Sequence, residues 1–436
     1  MSDPYLPLEI VSLVLAAYYR LPGADRTYEQ VSVVESKGGW DHAGLTERAF
    51  VSSAGIAAAA LVLRERGPKH FSDESIAFSI RTLRAFFREH HYIVASELAD
   101  WPADQSYRAM ISDAGKAALA AMLANSCVFN PQSRLLLFPL TPVLVEAPFV
   151  GQNFFIVPPD KLTAELPAAL QRLDLVTTQM PPLRREGRAV EPVGSWLGAR
   201  GPSDNTAKKI KRIVLGALAL APIYRERYGF VLRPSVRNYL SVHREIVVVT
   251  SNPHTPPLAD GLRIRVCDHV WLRILDSIIA SSEKLERSKR NALDYFFRGW
   301  FLDPVERCPI MFMALEALFE NREGQATQRL REGMLTTLDA GHALPQINKM
   351  IALRNSVIHG GSPDVFASSI YQKYWSRFGT DISIDLEVAT AKCLRKHVFG
   401  DAFVPQGDPH EELVAEHRAL GHLPTEDTRL VIPEWP

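Results

Sequence analysis

The apolar residues of this chain change their spacing twice, and that change limits the folds open to it. Up to about residue 130, and again from Cys267, they fall into long helical patterns. Between those segments they come in short runs bounded by Pro and Gly, as strands do. The reading is an α+β multidomain chain. A mostly helical region spans 1–130 and an α+β region spans 131–265. An all-α helical bundle covers 266–400, and a tail covers 401–436. The length of 436 residues fits about three domains at roughly 150 residues each.

Four helices are expected in the first region. They are 8–20; 46–66, which is Ala-rich and stops at Gly67-Pro68; 72–91, with Ser72 as its cap; and 104–125. In the middle region 135–140, 143–145 and 153–157 read as strands and 161–173 as a short helix. The stretch 177–205 is rich in Pro, Gly and Arg without a period, and reads as a long surface loop or linker. A helix over 206–228 opens with Lys208, Lys209, Lys211 and Arg212. Strands are expected at 231–233, 245–250 and 262–266. In the last region 268–288 has apolar residues at 271, 272, 274, 275, 278 and 279, and 291–302 is shorter and aromatic. Asp303-Pro304 is an N-cap followed by Pro at the first helical position, opening a helix over 304–321. Helices over 325–340, 344–359 and 385–398 complete the bundle. The Pro-containing tail is expected to pack as an extended arm or stay mobile.

Lys plus Arg and Asp plus Glu number 49 each, so the formal net charge is zero; 47% of residues are hydrophobic and 22% charged. That balance argues against a disordered chain and against a polybasic nucleic-acid coat, while leaving room for a local basic groove. The four cysteines, Cys127, Cys267, Cys308 and Cys393, form no CxxC pair. A zinc ribbon, a redox motif and a secreted disulfide framework are therefore disfavoured, and reduced thiols are expected. The first residues lack the basic start of a secretory leader. The longest apolar runs, 54–63 and 213–223, fall short of the roughly 18 residues that cross a bilayer. A cytoplasmic, soluble chain with no membrane partner is expected.

The most informative segment is 347–361, INKMIALRNSVIHGG. On a helix Ile347, Met350, Ile351, Arg354 and Ile358 share one face. Arg354 thus interrupts an apolar stripe. A guanidinium is costly to bury alone, so it needs a carboxylate, a phosphate or an oligomer interface. Asn355 and His359 lie four apart on a neighbouring face, and Gly360-Gly361 supply a C-cap. An imidazole can take or give a proton near neutrality. A guanidinium can hold a phosphate in a fork and stabilise charge on a pentavalent transition state. RNA carries its own nucleophile, the 2′-OH, so Arg354 and His359 suit phosphodiester cleavage without a metal. No second His or carboxylate cluster has ligand spacing on this helix, and no metal or cofactor is expected. Taken alone, an Arg and a His at this spacing more often serve structure, as a helix-ending His and a buried Arg–Glu pair. Glu316, inside the apolar helix 304–321, is the evident partner.

The context resembles the HEPN superfamily and, within it, the Apea-like HEPN group. The family pattern is Arg, a polar residue, three further residues and His, here Arg354, Asn355, Ser356-Val357-Ile358 and His359, followed by Gly360. The upstream MALEALFE, 313–320, is similar to the family's preceding helix, in which a Glu sits among Leu and Ala. The resemblance covers about 268–400, under a third of the chain. It implies a helical bundle that homodimerises, so that two motifs meet in one composite ribonuclease site. It also implies a metal-independent endoribonuclease of antiphage or toxin-like defence. In that role Arg354 would stabilise the phosphate, His359 would handle protons, Asn355 would orient them and Glu316 would hold Arg354. RNA, including tRNA, would be the partner, and residues 1–265 would sense a trigger, such as a phage-derived one, bind a partner or restrain the site.

Other motifs carry less. His410-Glu411-Glu412 with Glu416-His417 does not match HExxH. His90-His91 reads as a solvated helix end. Gly194-Ser195-Trp196-Leu197-Gly198 has its Ser one place too early for a nucleophile elbow, and no phosphate-binding glycine loop is present. Three basic runs, 184–188, 208–212 and 284–290, read first as solvated faces. In the last, Lys284, Lys289 and Arg290 are RNA-binding candidates because they lie within the resemblance. The aromatics at 295, 296, 297, 300 and 301 that follow are more simply core than base-stacking. Two other function classes remain open: a non-catalytic HEPN module that binds RNA or protein, and a subunit of an RNA-guided effector complex.

Overall fold

The computed structural model describes residues 3–21, 28–34, 46–72, 74–95, 97, 105–131, 133–168, 170–171, 184–185, 188–189, 193–221, 237–243, 245–256, 261–338, 340–404, 406 and 411–422. The chain divides into two compact units, Met1–Ser133 and Arg134–Pro436.

In the first unit α1 (Leu6–Ala17) buries Leu6, Ile10, Val11, Val14 and Leu15, a three-and-four stripe. It leads into β1 (Tyr18–Tyr19). β2 (Tyr28–Val34) and β3 (Thr46–Ser52) follow, and the three pair antiparallel in the order β1-β3-β2. The expected helix 46–66 is thus half wrong. Its first seven residues are strand, and α2 (Ser53–Arg66) starts only where the Ser52 hydroxyl accepts the Gly55 N–H. Thr46, Phe50 and Val51 favour a pleated strand, and the Ala-rich run after the cap favours helix. Ser72 is not a cap either; its hydroxyl donates to the Lys69 carbonyl. Ser75 caps α3 (Ile76–Glu89), accepting from Phe78 N–H at 3.1 Å. α4 (His91–Ala95), α5 (Tyr107–Met110) and α6 (Asp113–Asn125) complete the unit. His91 is not solvated. It is buried beside the Phe87 and Tyr107 rings, and burial pushes its imidazole down to about 4.

The second unit begins with β4 (Arg134–Leu140), apolar at every position after Arg134. An unbroken run rather than an alternating one marks a strand covered on both faces. The strands β5 (Val143–Val145), β6 (Phe149–Val150), β7 (Phe154–Val157), β8 (Arg184–Arg185), β9 (Arg188–Ala189) and β10 (Ser195–Gly201) follow. After α7 (Asp204–Leu218) come β11 (Asn238–Val242), β12 (Ile246–Thr250) and β13 (Leu262–Ile264). One six-stranded sheet has the order β12-β11-β4-β10-β7-β6, with every neighbouring pair antiparallel. β5 and β13 pair in parallel, and β8 and β9 form a small hairpin. Side chains alternate strictly across the sheet. Leu136, Phe138, Ile156, Leu197 and Tyr239 join the core that contains α7, while Leu135, Leu137, Phe155, Trp196 and Leu240 form a second core on the other face. β11 pairs with β4 only at 135–137, so Pro139 lies past the end of that ladder, where its missing N–H costs little.

The largest correction falls here. The supposed loop 177–205 contains β10, which sits between β4 and β7 in the sheet. Gly198 hid it. A Cβ at Gly198 would stand 2.1 Å from the Phe155 ring, so the strand needs a glycine that a propensity reading scores as loop. The expected helix 161–173 is a short 3-10 segment, Pro159–Glu165. The helix expected over 206–228 is α7, and the expected strand 231–233 lies outside the described residues, as do 222–236 as a whole.

The remaining helices are α8 (His269–Ala280), α9 (Lys284–Gly299), α10 (Pro304–Leu318), α11 (Ala326–Leu335), α12 (Ala340–Ile358), α13 (Ser369–Phe378), α14 (Ile382–Leu394) and α15 (Glu411–Ala419). The expected single helix 268–288 breaks at 281–283, where Arg290 donates to the Ile278 and Ser281 carbonyls at 2.5 and 2.6 Å and closes the end of α8. Asp303 caps α10 as expected, accepting from Glu306 N–H at 3.0 Å. α13 and α15 were not anticipated. One hydrophobic core runs from the α7 face of the sheet through α8 to α14, so the unit is α+β with a helical C-terminal part. Cys127, Cys267, Cys308 and Cys393 are unpaired, and burial pushes the Cys308 and Cys393 thiols up to about 12. No helix among the described residues is long and apolar enough to cross a membrane.

Candidate functional site

α12 packs through Ile347, Met350, Ile351 and Leu353, all buried, and this fixes the orientation of its last turns. Arg354 follows on the edge of that face with its side chain only 13% exposed. Its Nε donates to Glu316 Oε1 on α10 at 2.6 Å, and Nη2 bonds the same oxygen. Nη1 donates to Asn355 Oδ1 at 2.9 Å. The guanidinium therefore meets a carboxylate inside the bundle, which offsets its desolvation. Three of its five N–H groups are used, and one on each Nη is left. The Asn355 oxygen is taken by Arg354, which turns the two amide N–H donors away from it.

The end of α12 sets His359. Ile358 is the last helical residue and is 44% exposed, so the apolar face expected to include it ends earlier, where the helix leaves the bundle. The His359 N–H donates to the Asn355 carbonyl at 3.1 Å, and the Gly360 N–H to Val357 at 3.3 Å. Gly360 has φ +75°, the left-handed turn that ends a helix. The chain then folds back: Ser362 N–H donates to the Ser356 carbonyl at 3.1 Å, the Ser362 hydroxyl to Asp364 O at 2.8 Å, and Ala367 N–H to Asp364 Oδ1 at 2.8 Å. His359 is exposed, and its ring makes no hydrogen bond among the described residues. Sequence reasoning passed over Ser362 and Asp364, although Gly-Gly-Ser-Pro-Asp is a dense string of turn formers.

Glu316, Arg354, Asn355 and His359 thus form one connected group: carboxylate to guanidinium, guanidinium to amide, amide backbone to the residue bearing the imidazole. The arrangement holds a cation fixed by two partners, with an exposed imidazole five residues further along the chain. The basic candidates on α9 are placed otherwise. Lys284 is exposed, Lys289 pairs with Glu286 at 2.9 Å, and Arg290 closes the end of α8. Phe296, Phe297 and Trp300 are core. Of the other basic runs, 184–188 is described only at the backbone of 184–185 and 188, while 208–212 lies on α7. His410 lies outside the described residues, and among the described residues no three His, Cys, Asp or Glu side chains come together as a metal would need. Compared with protein-family models, with curated proteins and with solved structures, the chain matches none.

Proposed function

We propose that this chain is a metal-independent endoribonuclease of the HEPN type, acting in antiphage or toxin-like defence, with its site at Arg354, Asn355 and His359. The observation that carries the reading is the state of Arg354: mostly buried, fixed by Glu316 and Asn355, and still holding two N–H groups within a turn and a half of an exposed His359. A guanidinium fixed before substrate arrives loses little entropy on binding a phosphate and can stabilise the charge that grows on it. In the reaction the 2′-oxygen bonds to the adjacent phosphorus as its proton passes to a base. The bond from phosphorus to the 5′-oxygen breaks, and that oxygen takes up a proton. Two transfers are needed, and a dimer in which two copies of the motif meet supplies two imidazoles for them.

The test is cleavage of total RNA and of tRNA in EDTA by the wild type, Arg354→Ala and His359→Ala, with fragment ends mapped. Cleavage by the wild type alone, leaving 2′,3′-cyclic phosphate and 5′-OH ends, is the expected result. Each substitution should lower the rate at least about a hundredfold. Equal cleavage by all three would remove the motif from the chemistry. RNA binding without cleavage by any of them would favour the non-catalytic module, in which Glu316–Arg354 is a structural ion pair.

A further inference from the structure

Lys211 is a sheltered lysine that makes no ion pair among the described residues. Its Nζ lies 5.3 Å from the centroid of the Phe138 ring on β4 and 5.5 Å from that of Phe297 on α9. One turn earlier on α7, Lys208 lies 5.0 Å over Tyr239 of β11, and the Tyr239 and Phe138 rings are neighbours at 5.3 Å. Neither lysine makes an ion pair or a hydrogen bond among the described residues. Arg212 beside them takes Asp294 Oδ1 at 2.5 Å, while the other oxygen of that carboxylate is held by Arg298, so Asp294 is already divided between two guanidiniums. The chain as a whole is neutral, but the described charges named here are four cations, Lys208, Lys211, Arg212 and Arg298, and one carboxylate, Asp294.

His254, in the segment after β12, stands at the same ring. It is 1% exposed, edge-on to Phe138 at 5.3 Å, with Nε2 2.8 Å from the Asn238 carbonyl. A carbonyl only accepts, so Nε2 carries the hydrogen. Burial, and then the charge of Lys211, hold the imidazole neutral, so Nδ1 presents a lone pair. That atom is buried and has no partner among the described residues. The cluster therefore lacks two things: negative charge for the lysines and a hydrogen for Nδ1. Burial, and then Arg212 and Lys208, push the Lys211 ammonium down to about 8 against the smaller opposing charge of Asp294, the mark of a cation that a further anion would stabilise.

We propose that this cluster binds inorganic phosphate, with Lys211 and Lys208 on the phosphoryl oxygens and the P–OH of the hydrogen phosphate donated to His254 Nδ1. A phosphodiester, a sulfate, a carboxylate and, above its second pKa of about 6, a phosphate monoester carry no such hydrogen and leave Nδ1 unmet, at the usual cost of an orphaned buried group. The site belongs to the sheet and α7 and does not rest on the reading of Arg354 and His359.

The probe is inorganic phosphate, titrated into the full-length protein at pH 7 by calorimetry, with sulfate at matched ionic strength as its counterpart. One saturable phosphate site per chain is expected, with sulfate bound at least about tenfold more weakly. Lys211→Met should weaken phosphate by about tenfold or more while leaving the melting temperature near that of the wild type. Lys208→Met should weaken it less. In the wild type, trinitrobenzenesulfonate modification of Lys211, mapped by mass spectrometry, should be slowed by phosphate and not by sulfate; this arm decides even where Lys211→Met fails to fold. Absence of saturable phosphate binding, unchanged binding by a folded Lys211→Met, or equal binding of sulfate would each overturn the proposal.

Discussion

Arg354 meets the Glu316 carboxylate on α10, whereas Asp385, on the neighbouring α14, makes no ion pair among the described residues. Asp385 is 1% exposed. Its Oδ2 accepts from the Tyr374 hydroxyl and the Thr380 hydroxyl, each at 2.6 Å, and its Oδ1 has no partner. Burial outweighs the two hydrogen bonds and pushes the carboxyl up from 3.8 to about 6. The folded chain therefore holds a proton between about pH 4 and 6 where the unfolded chain has lost it. By linkage, the contribution of this group is fully present below pH 4, falls as pH rises through about 6, and is flat above. Asp385→Asn keeps the shape and both hydrogen bonds without the charge. It is expected to raise stability at pH 7.5 by about 2–3 kcal/mol at most and to make little difference at pH 4. Urea midpoints of both proteins at the two pH values check this; an equal shift at both would mean the gain is not electrostatic. The sequence marked Arg354 as anomalous because it broke an apolar stripe. It gave no sign of Asp385, whose neighbours Tyr374 and Thr380 lie on a helix and loop that the sequence reading left blank.

Two glycines separate what an element needs from what its surroundings need. Gly360 has φ +75°, and a Cβ there would meet nothing within 4 Å. Gly360→Ala should therefore cost only the left-handed backbone, about 1–2 kcal/mol, and leave the rest of the unit intact. Gly198 is the reverse case, with an extended strand around it and the Phe155 ring in the way. Gly198→Ala should cost about 1–3 kcal/mol through displacement of that ring. Thermal unfolding of the two variants orders them, and a Gly198→Ala protein as stable as the wild type would show that Phe155 moves freely. The terminating role of Gly360-Gly361 was legible because a helix end is local. The role of Gly198 was not, because its reason lies on a strand some forty positions away.

For the molecule as a whole, the proposed chemistry needs two imidazoles and each chain brings one at this motif. Two apolar side chains near His359 in sequence are exposed, Ile358 at 44% and Phe366 at 43%. Cleavage per chain should therefore rise with protein concentration, and Ile358→Glu should shift sedimentation toward monomer and lower the rate at least about tenfold. A fully active protein that sediments as a monomer at assay concentration would set the composite site aside. The second unit also bears on how such a chain is divided. The sheet, α7 and the C-terminal helices share one core, and the Arg212–Asp294 pair at 2.5 Å ties α7 to α9.

What the sequence determined by itself was local. Asp303-Pro304 opens a helix, 135–140 and 154–157 are strands, and Arg354, Asn355 and His359 share the end of one helix. Those features rest on capping, on β-branched and aromatic runs and on the 3.6-residue period, all of which act within a few residues. Only the tertiary structure decided that a glycine-bearing segment becomes a strand inside the sheet, that Arg354 keeps two N–H groups unused among the described residues after meeting Glu316, the partner the sequence already suggested, and that Lys211 and His254 share the ring of Phe138. Each depends on residues brought together from distant positions, where burial and the matching of charges override what any short stretch of chain prefers.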